Sequence, residues 1–276
     1  MNDQESYRRN DVKLIKISDH VWTTQWGNSN SNISIINGKE YSILVDSGYP
    51  FQAQSIKLEM ERNSIAPIKY VIYTHYHQDH VFGTCMYDYE TVIAHSSTKN
   101  LMEIMLQGLW SERGLKRMLR NYSIMMSKLD EFHIALPTQT FDDSYELHYD
   151  EFCVTLKKAE GHCKGGIIVH VEPDDVVITG DNMFVGSYPY LLETDINEEM
   201  KILDSLLESK PAVIVPGHGD CATLDDVEYM KYYLNELVRC TKEGEEEQLL
   251  GKKFWDQDEE GFHVKNIQYI KRLMEK

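Results

Sequence analysis

Along the first part of the chain, apolar side chains come in short runs or alternate with polar ones, the period-two signature of strands. Strands are expected over 12–17, 20–24 and 33–36. The Asn37-Gly38 pair then marks a hairpin turn before a strand over 41–45, which ends in the polar turn Asp46-Ser47-Gly48. Ala53, Ile56 and Met60 recur at helical spacing, so a helix over 52–63 should end before Pro67. Two more strands, over 69–73 and 91–94, follow it.

The pattern changes over 97–135, where Leu101, Ile104, Met105, Leu115, Met118, Leu119, Tyr122, Met125, Met126, Leu129 and Phe132 keep the helical interval. Two helices inserted between strands are expected here. Five of the 12 methionines lie in this stretch. Ordinary amphipathic packing explains them, and so would an adaptable apolar cap over a site. Strands return over 145–149, 152–157, 167–171, 176–179 and 212–215, with a helix over 197–209. The remainder reads as C-terminal helices over 222–276. Val227, Met230, Leu234, Leu237 and Val238 mark one face, and Ile267, Ile270, Leu273 and Met274 another. The acidic run 243–247 between them reads as a solvated turn. No linker or repeat interrupts the pattern, so a single domain over 1–276 is expected.

Candidate chemistry enters directly after the apolar strand 69–73. His75-Tyr76-His77-Gln78-Asp79-His80 packs three imidazoles and a carboxylate into six residues. Imidazole nitrogen and carboxylate oxygen are the usual protein ligands of zinc and related divalent ions. His75 and His77, alternate in an extended segment, can converge on one ion, and Asp79 and His80 can turn towards a second. Three later strands end on similar residues: His162 among the glycines of Glu160–Gly166, Asp181 after Thr179-Gly180, and His218 after Pro216-Gly217. Each alone could be a turn. Four such strand ends in succession are hard to assign to turns.

Charge and cysteine usage narrow the partners. The formal charge of −17 repels phosphate backbones and anionic bilayers, so neither nucleic acid nor a membrane is an expected partner. The polar N-terminus lacks the apolar stretch of a secretory signal, and no run is long enough to span a bilayer. Five cysteines without Cys-x-x-Cys spacing suit reduced thiols in a cytoplasm. Cys163 and Cys221 lie near candidate ligands but read as buried thiols. His20, His95, His133, His148, His170 and His263 show no partner spacing and read as surface or satisfied core residues.

The series His75-x-His77-x-Asp79-His80, His162, Asp181, His218 resembles the metal-binding signature of the metallo-β-lactamase-fold hydrolase superfamily. The resemblance runs over roughly residues 12–225. It implies an α/β (α+β) fold, an αββα four-layer sandwich of two mixed β-sheets flanked by helices. It further implies that His75, His77 and His162 hold one metal, that Asp79, His80 and His218 hold the other, and that Asp181 bridges them. Asp46 would orient the metal loop by hydrogen bonds. Two divalent ions, zinc first and iron or manganese next, would supply hydroxide at neutral pH, with Asp79 as the catalytic residue that orients it.

Departures from particular branches sharpen this. β-Lactamases of the superfamily generally carry cysteine or serine at the position of Asp181, and the aspartate is more similar to glyoxalase II-type thioesterases and lactonases. Where the lactonases carry an assisting tyrosine, this chain has Phe184. Glyoxalase II enzymes bind glutathione with a basic C-terminal domain, whereas the residues after His218 here are acid-rich, so glutathione recognition is not expected. The expectation is therefore a dinuclear metal-dependent hydrolase of a small thioester or ester-like molecule. A lactonase or phosphodiesterase is the nearest alternative, and an iron-binding redox or sensory protein the alternative of another class. Tyr76, Trp110, Phe184, Tyr188 and Tyr190 are candidates to line a substrate pocket, and homodimerisation is left open.

Overall fold

A computed structural model describes residues 12–24, 31–118, 132–149, 152–256, 258 and 261–275. Twelve strands form two mixed sheets among the described residues. The first has the order β1 (Leu14–Lys16), β2 (Val21–Thr24), β3 (Ser34–Asn37), β4 (Ser42–Val45), β5 (Ile68–Ile72), β6 (Thr91–His95) and β7 (Gln139–Phe141). β1 to β4 pair antiparallel as a meander, and β4 to β7 pair parallel. The second sheet runs β12 (Val213–His218), β11 (Val176–Phe184), β10 (Ile167–Glu172), β9 (Phe152–Lys158) and β8 (Ser144–Tyr149). Only its β11–β12 pair is parallel.

Because successive side chains on a strand point to opposite faces, each central strand feeds two cores. Ile43 and Val45 of β4, Ile72 of β5 and Ile93 of β6 meet Val154, Leu156, Val169, Val171, Ile178 and Val215 of the other sheet. Their sequence neighbours Leu44, Val71, Val92 and Ala94 face the opposite way, under helices. Those helices are α1 (Pro50–Arg62), the short α2 (Gln78–Val81) running into a 3-10 turn over Phe82–Met86, α3 (Ser96–Gln107) and α4 (Glu112–Met118). On the far side, Val177 and Ile214 pack under α5 (Ile196–Ser209), α6 (Leu224–Glu243), α7 (Glu246–Leu250) and α8 (Phe262–Met274). The architecture is thus an α/β sandwich, helices outside two facing sheets. No described helix is long and apolar enough to cross a membrane.

Several expectations needed revision. β11 does not stop at residue 179 but continues through Asp181 to Phe184, and β12 continues to His218. A register shift around Gly180 hides that continuation, because it breaks the alternation the pattern relies on. β7 was missed: three residues at a sheet edge carry too little periodicity to be seen. The acidic run 243–247 is not a plain solvated turn. Glu243 and Glu245 pair with Arg239, Glu246 pairs with Lys271, and Gly244 at φ 72° turns the chain into α7. Of the expected insertion over 97–135, α3 and α4 are present between β6 and β7, and residues 119–131 lie outside the described residues.

Trp110 belongs to the core beneath these helices and not to a substrate pocket. It is 3% exposed, edge-on to Phe82 at 5.1 Å, with its backbone N–H bonded to Met105 O. Trp110→Ala should therefore lower stability by about 3–5 kcal/mol, the range for a buried aromatic. Urea unfolding measures that loss, and KM in the folded fraction should stay unchanged.

Candidate metal centre

All seven expected ligands converge where the loops at one edge of the two sheets meet. The ligand atoms of His75, His77, His162 and Asp181 lie within 4.8 Å of one another, as do those of Asp79, His80 and His218. Asp181 faces both groups. Its Oδ2 lies 3.7 Å from His75 Nε2 and 3.6 Å from His162 Nε2. Its Oδ1 lies 3.2 Å from His80 Nε2 and 3.5 Å from His218 Nε2. Asp79 Oδ2 closes the second group, 3.5 Å from His80 Nε2 and 3.4 Å from His218 Nε2.

The backbone explains how one carboxylate reaches four rings. Gly180 sits at φ 52°, a conformation that favours glycine, and a Cβ there would lie 2.6 Å from Thr74 Oγ1. Gly217 lets β12 press against the carboxylate, since a Cβ on it would meet Asp181 Oδ1 at 2.0 Å. Asn32 then ties the end of β12 to the first sheet. Its N–H donates to Gly217 O, and its amide nitrogen donates to Pro216 O and Gly219 O. The His162 loop is held from the other side by Asn182 Oδ1, which accepts from His162 N, and by Thr194 Oγ1, which donates to His162 O.

Hydrogen bonds fix which nitrogen each ring presents. Asp46 accepts from Thr74 N at 2.8 Å, from Thr74 Oγ1 at 2.7 Å and from His80 Nδ1 at 2.8 Å. With its proton given to Asp46, the Thr74 hydroxyl accepts from His75 Nδ1 at 3.0 Å. Both rings are thereby left with Nε2 towards the centre. His75 Nε2, His80 Nε2 and Asp181 Oδ1 are buried and have no hydrogen-bond partner among the described residues. Burying unpaired polar atoms is costly, and a cation bound between them would satisfy all three. His162 Nε2 and His77 Nδ1 approach to 3.1 Å, which requires a shared proton or a cation between two lone pairs. The donor set is nitrogen and oxygen only, suited to zinc and to other divalent first-row ions.

The two halves differ electrostatically. In the metal-free chain burial lowers His75 well below its usual value, helped by His80. Burial likewise brings His162 to about 3, helped by His77 and His80 and opposed by Asp181. Both rings are therefore neutral and ready to bind. Burial would also lower His80 and His218, but there the carboxylates win. Asp181, Asp79 and Asp46 raise His80 well above its usual value, and Asp181 and Asp79 raise His218 to about 9. Asp79 in turn is held down to about 2, where His80 and His218 outweigh its burial.

The aromatic candidates separate. Phe184 stacks on His218 at 5.0 Å with an interplanar angle of 2°, and Tyr190 lies edge-on to His77 at 5.5 Å. Tyr76 is buried, and its hydroxyl donates to Glu193. Tyr188 is instead a core residue of the C-terminal helices. It packs against Tyr233, Trp255 and His263, and its hydroxyl accepts from Phe254 N. Glu193 was not foreseen from the sequence. It stands 3.8 Å from His77 Nε2, on the side of the ring away from the centre, and the His77 and Tyr76 contacts hold it down to about 2. One glutamate in an acid-rich chain carries no spacing signal, and the same holds for Asn32.

Two predictions follow from this geometry. In the metal-free chain His80 and His218 are protonated at neutral pH, so a cation entering their half displaces protons. Its affinity should rise with pH up to about 9, whereas His75 and His162, already neutral, give up no proton when a cation binds. Calorimetric titration in buffers of different ionisation enthalpy measures the protons released, and equal release from both halves contradicts the assignment. Stability of the metal-free chain runs the opposite way. The contribution of the raised His218 is full below the ordinary histidine value and fades as pH rises through about 9. Second, Asp46→Asn keeps the shape and tolerates φ 58° but loses the charge facing His80. Metal affinity should fall about 10–100-fold, read by competition with a chromophoric chelator.

Comparison with known proteins agrees with the fold. Residues 26–218 match the family model described as the metallo-beta-lactamase superfamily. The chain is 22% identical over 248 residues to a metallo-beta-lactamase type 2 from Bacteroides fragilis, covering 84% of this chain and 88% of that one. It is 23% identical over 229 residues to a beta-lactamase-like protein 2 homolog from Caenorhabditis elegans, covering 78% and 67%. Among solved structures it resembles a metallo-beta-lactamase from Pontibacter korlensis, with TM-score 0.62 at 16% identity, covering 82% of this chain and 99% of that one. A double mutant of the sec-alkyl sulfatase PisA1 aligns with TM-score 0.72 at 14% identity, over 98% of this chain but 51% of that one. With the match spanning most of the chain and the ligand-type side chains gathered at one sheet edge, the protein belongs to the metallo-beta-lactamase superfamily of metal-dependent hydrolases.

Proposed function

We propose that this hydrolase is dinuclear, with zinc as the fitting ion, and that it cleaves a small thioester or ester-like molecule in the cytoplasm. The observation that carries the reading is Asp181, whose two oxygens face two separate groups of ligand atoms. His75, His77 and His162 would hold one ion and Asp79, His80 and His218 the other, with Asp181 between them. When bound, such ions lower the pKa of water towards about 7 and polarise a carbonyl oxygen.

The chain's own residues supply position and proton transfer. Asp46 and Thr74 fix the rings of His80 and His75, so the ligand atoms need no reordering before reaction. Asp79 is 24% exposed, more open than Asp181, and ionised, so it can take a proton from the attacking water and pass it to the leaving group. Tyr76, Phe184 and Tyr190 border the ligands with apolar ring surface. Glu193 adds a fixed negative charge beside them, which favours a neutral acyl group over a further anion. An aspartate at position 181 supports the thioesterase-like reading over a β-lactam substrate, and the absence of a hydroxyl on Phe184 weighs against the lactonase alternative.

Asp181→Ala should lower metal content, by elemental analysis, and abolish turnover. His162→Ala should affect the first ion more than the second. Initial rates on acyl thioesters, acyl-lactones and bis-nitrophenyl phosphate, on protein of known metal content, choose the substrate class. A thioester preference of about tenfold or more, roughly 1.4 kcal/mol in the barrier, is expected. A phosphodiester preference, or iron with no hydrolytic rate, rejects the proposal.

A further inference from the structure

A second group of ligand-type side chains lies on the outer face of the five-stranded sheet, at its β8–β9 edge. Glu146 and His148 are two apart in β8 and share a face, while Leu147 and Tyr149 between and beside them enter the core. In the antiparallel ladder His148 lies directly opposite Cys153 of β9. The ligand atoms of Glu146, His148 and Cys153 all fall within 4.8 Å of one another, with His148 Nε2 3.4 Å from Glu146 Oε2. None of the three takes part in the centre described above. Cys153 stands at the start of β9, and the His162 loop follows its far end at Lys158, roughly 16 Å of strand away.

A surface ion pair between His148 and Glu146 would contribute little by itself and would not involve the thiol. The combination is more specific than that. Imidazole, thiolate and carboxylate from three side chains, with an open solvent side, are the donors and the count that zinc-like ions accept, water completing the fourth position. The next strand extends the same face, with Glu172 opposite Cys153 and His170 opposite Thr155. The chain's formal charge of −17 also raises the local concentration of cations.

We propose that Glu146, His148 and Cys153 form a surface site for a divalent transition metal ion such as zinc, separate from the hydrolytic centre. Binding joins the ion to Cys153 Sγ, His148 Nε2 and a Glu146 oxygen, and the thiol proton passes to solvent. Affinity at this site therefore rises with pH. Glu146 and His148 side chains are 61% and 73% exposed, so the ion exchanges freely with the surroundings.

Cobalt(II) titration of the chelator-treated full chain tests this independently of the substrate. The seven ligands of the hydrolytic centre are nitrogen and oxygen donors, so a thiolate-to-cobalt charge-transfer band in the near ultraviolet reports the surface site. The expected result is a saturable band in the parent chain. Cys153→Ser abolishes it and lowers bound cobalt by one equivalent, with hydrolytic rate unchanged, and His148→Ala weakens it. Absence of the band in the parent chain, or its persistence in Cys153→Ser, overturns the proposal.

Discussion

The arrangement depends on burying Asp181 among four imidazoles. A carboxylate that is 5% exposed pays a large desolvation penalty, yet it is held well below the usual carboxylate range because His80, His218 and His75 outweigh its burial. The four rings around it, with His162, come from three separate segments. Each must be present and correctly turned before the charge becomes tolerable, so Asp181 makes the loops at this edge mutually dependent. Two glycines serve the same end: Gly217 lets β12 close on the carboxylate, and Gly180 lets Thr74 of the metal loop lie against β11.

The apolar sandwich supplies what the loops lack, a rigid reference. Strands that place alternate residues in two different cores cannot slip by one position without sending each set into the core packed for the other. Fixing β4, β5, β11 and β12 fixes where Asp46, His75, Asp181 and His218 emerge. Asp46 and Asn32 carry that rigidity across the gaps, one bonding the metal loop to the end of β4, the other bonding β12 to the first sheet. The chemistry is therefore built on sheet geometry and trimmed by a few buried hydrogen bonds.

Much of this was visible along the chain. The ligand-type residues were legible because each follows or ends an apolar run, and because four of them crowd into six positions. The strands were legible as period-two segments, apart from β7 and the irregular extension of β11, and their division into two sheets came with the family resemblance. Side-chain neighbours were not. Trp110 and Tyr188 suggested a pocket because the sequence surrounds them with candidate loops or ligands, but both close separate cores. Glu193 touches His77 and Tyr76 across more than a hundred intervening residues, and no local pattern announces such a contact. His148 looked isolated for the same reason, since its neighbour Cys153 is set by hairpin register and not by spacing.

Sequence alone thus determined the element types, through periods of two and of 3.6, and the donor chemistry, through the identity of side chains at strand ends. Tertiary structure alone decided which nitrogen each histidine presents, which aromatic rings border the centre, and that Glu146, His148 and Cys153 stand together. The division has a physical cause. Backbone periodicity and ligand chemistry are local properties of the chain. Contacts between strands depend on sheet register and on how two twisted layers pack, which only the folded whole specifies.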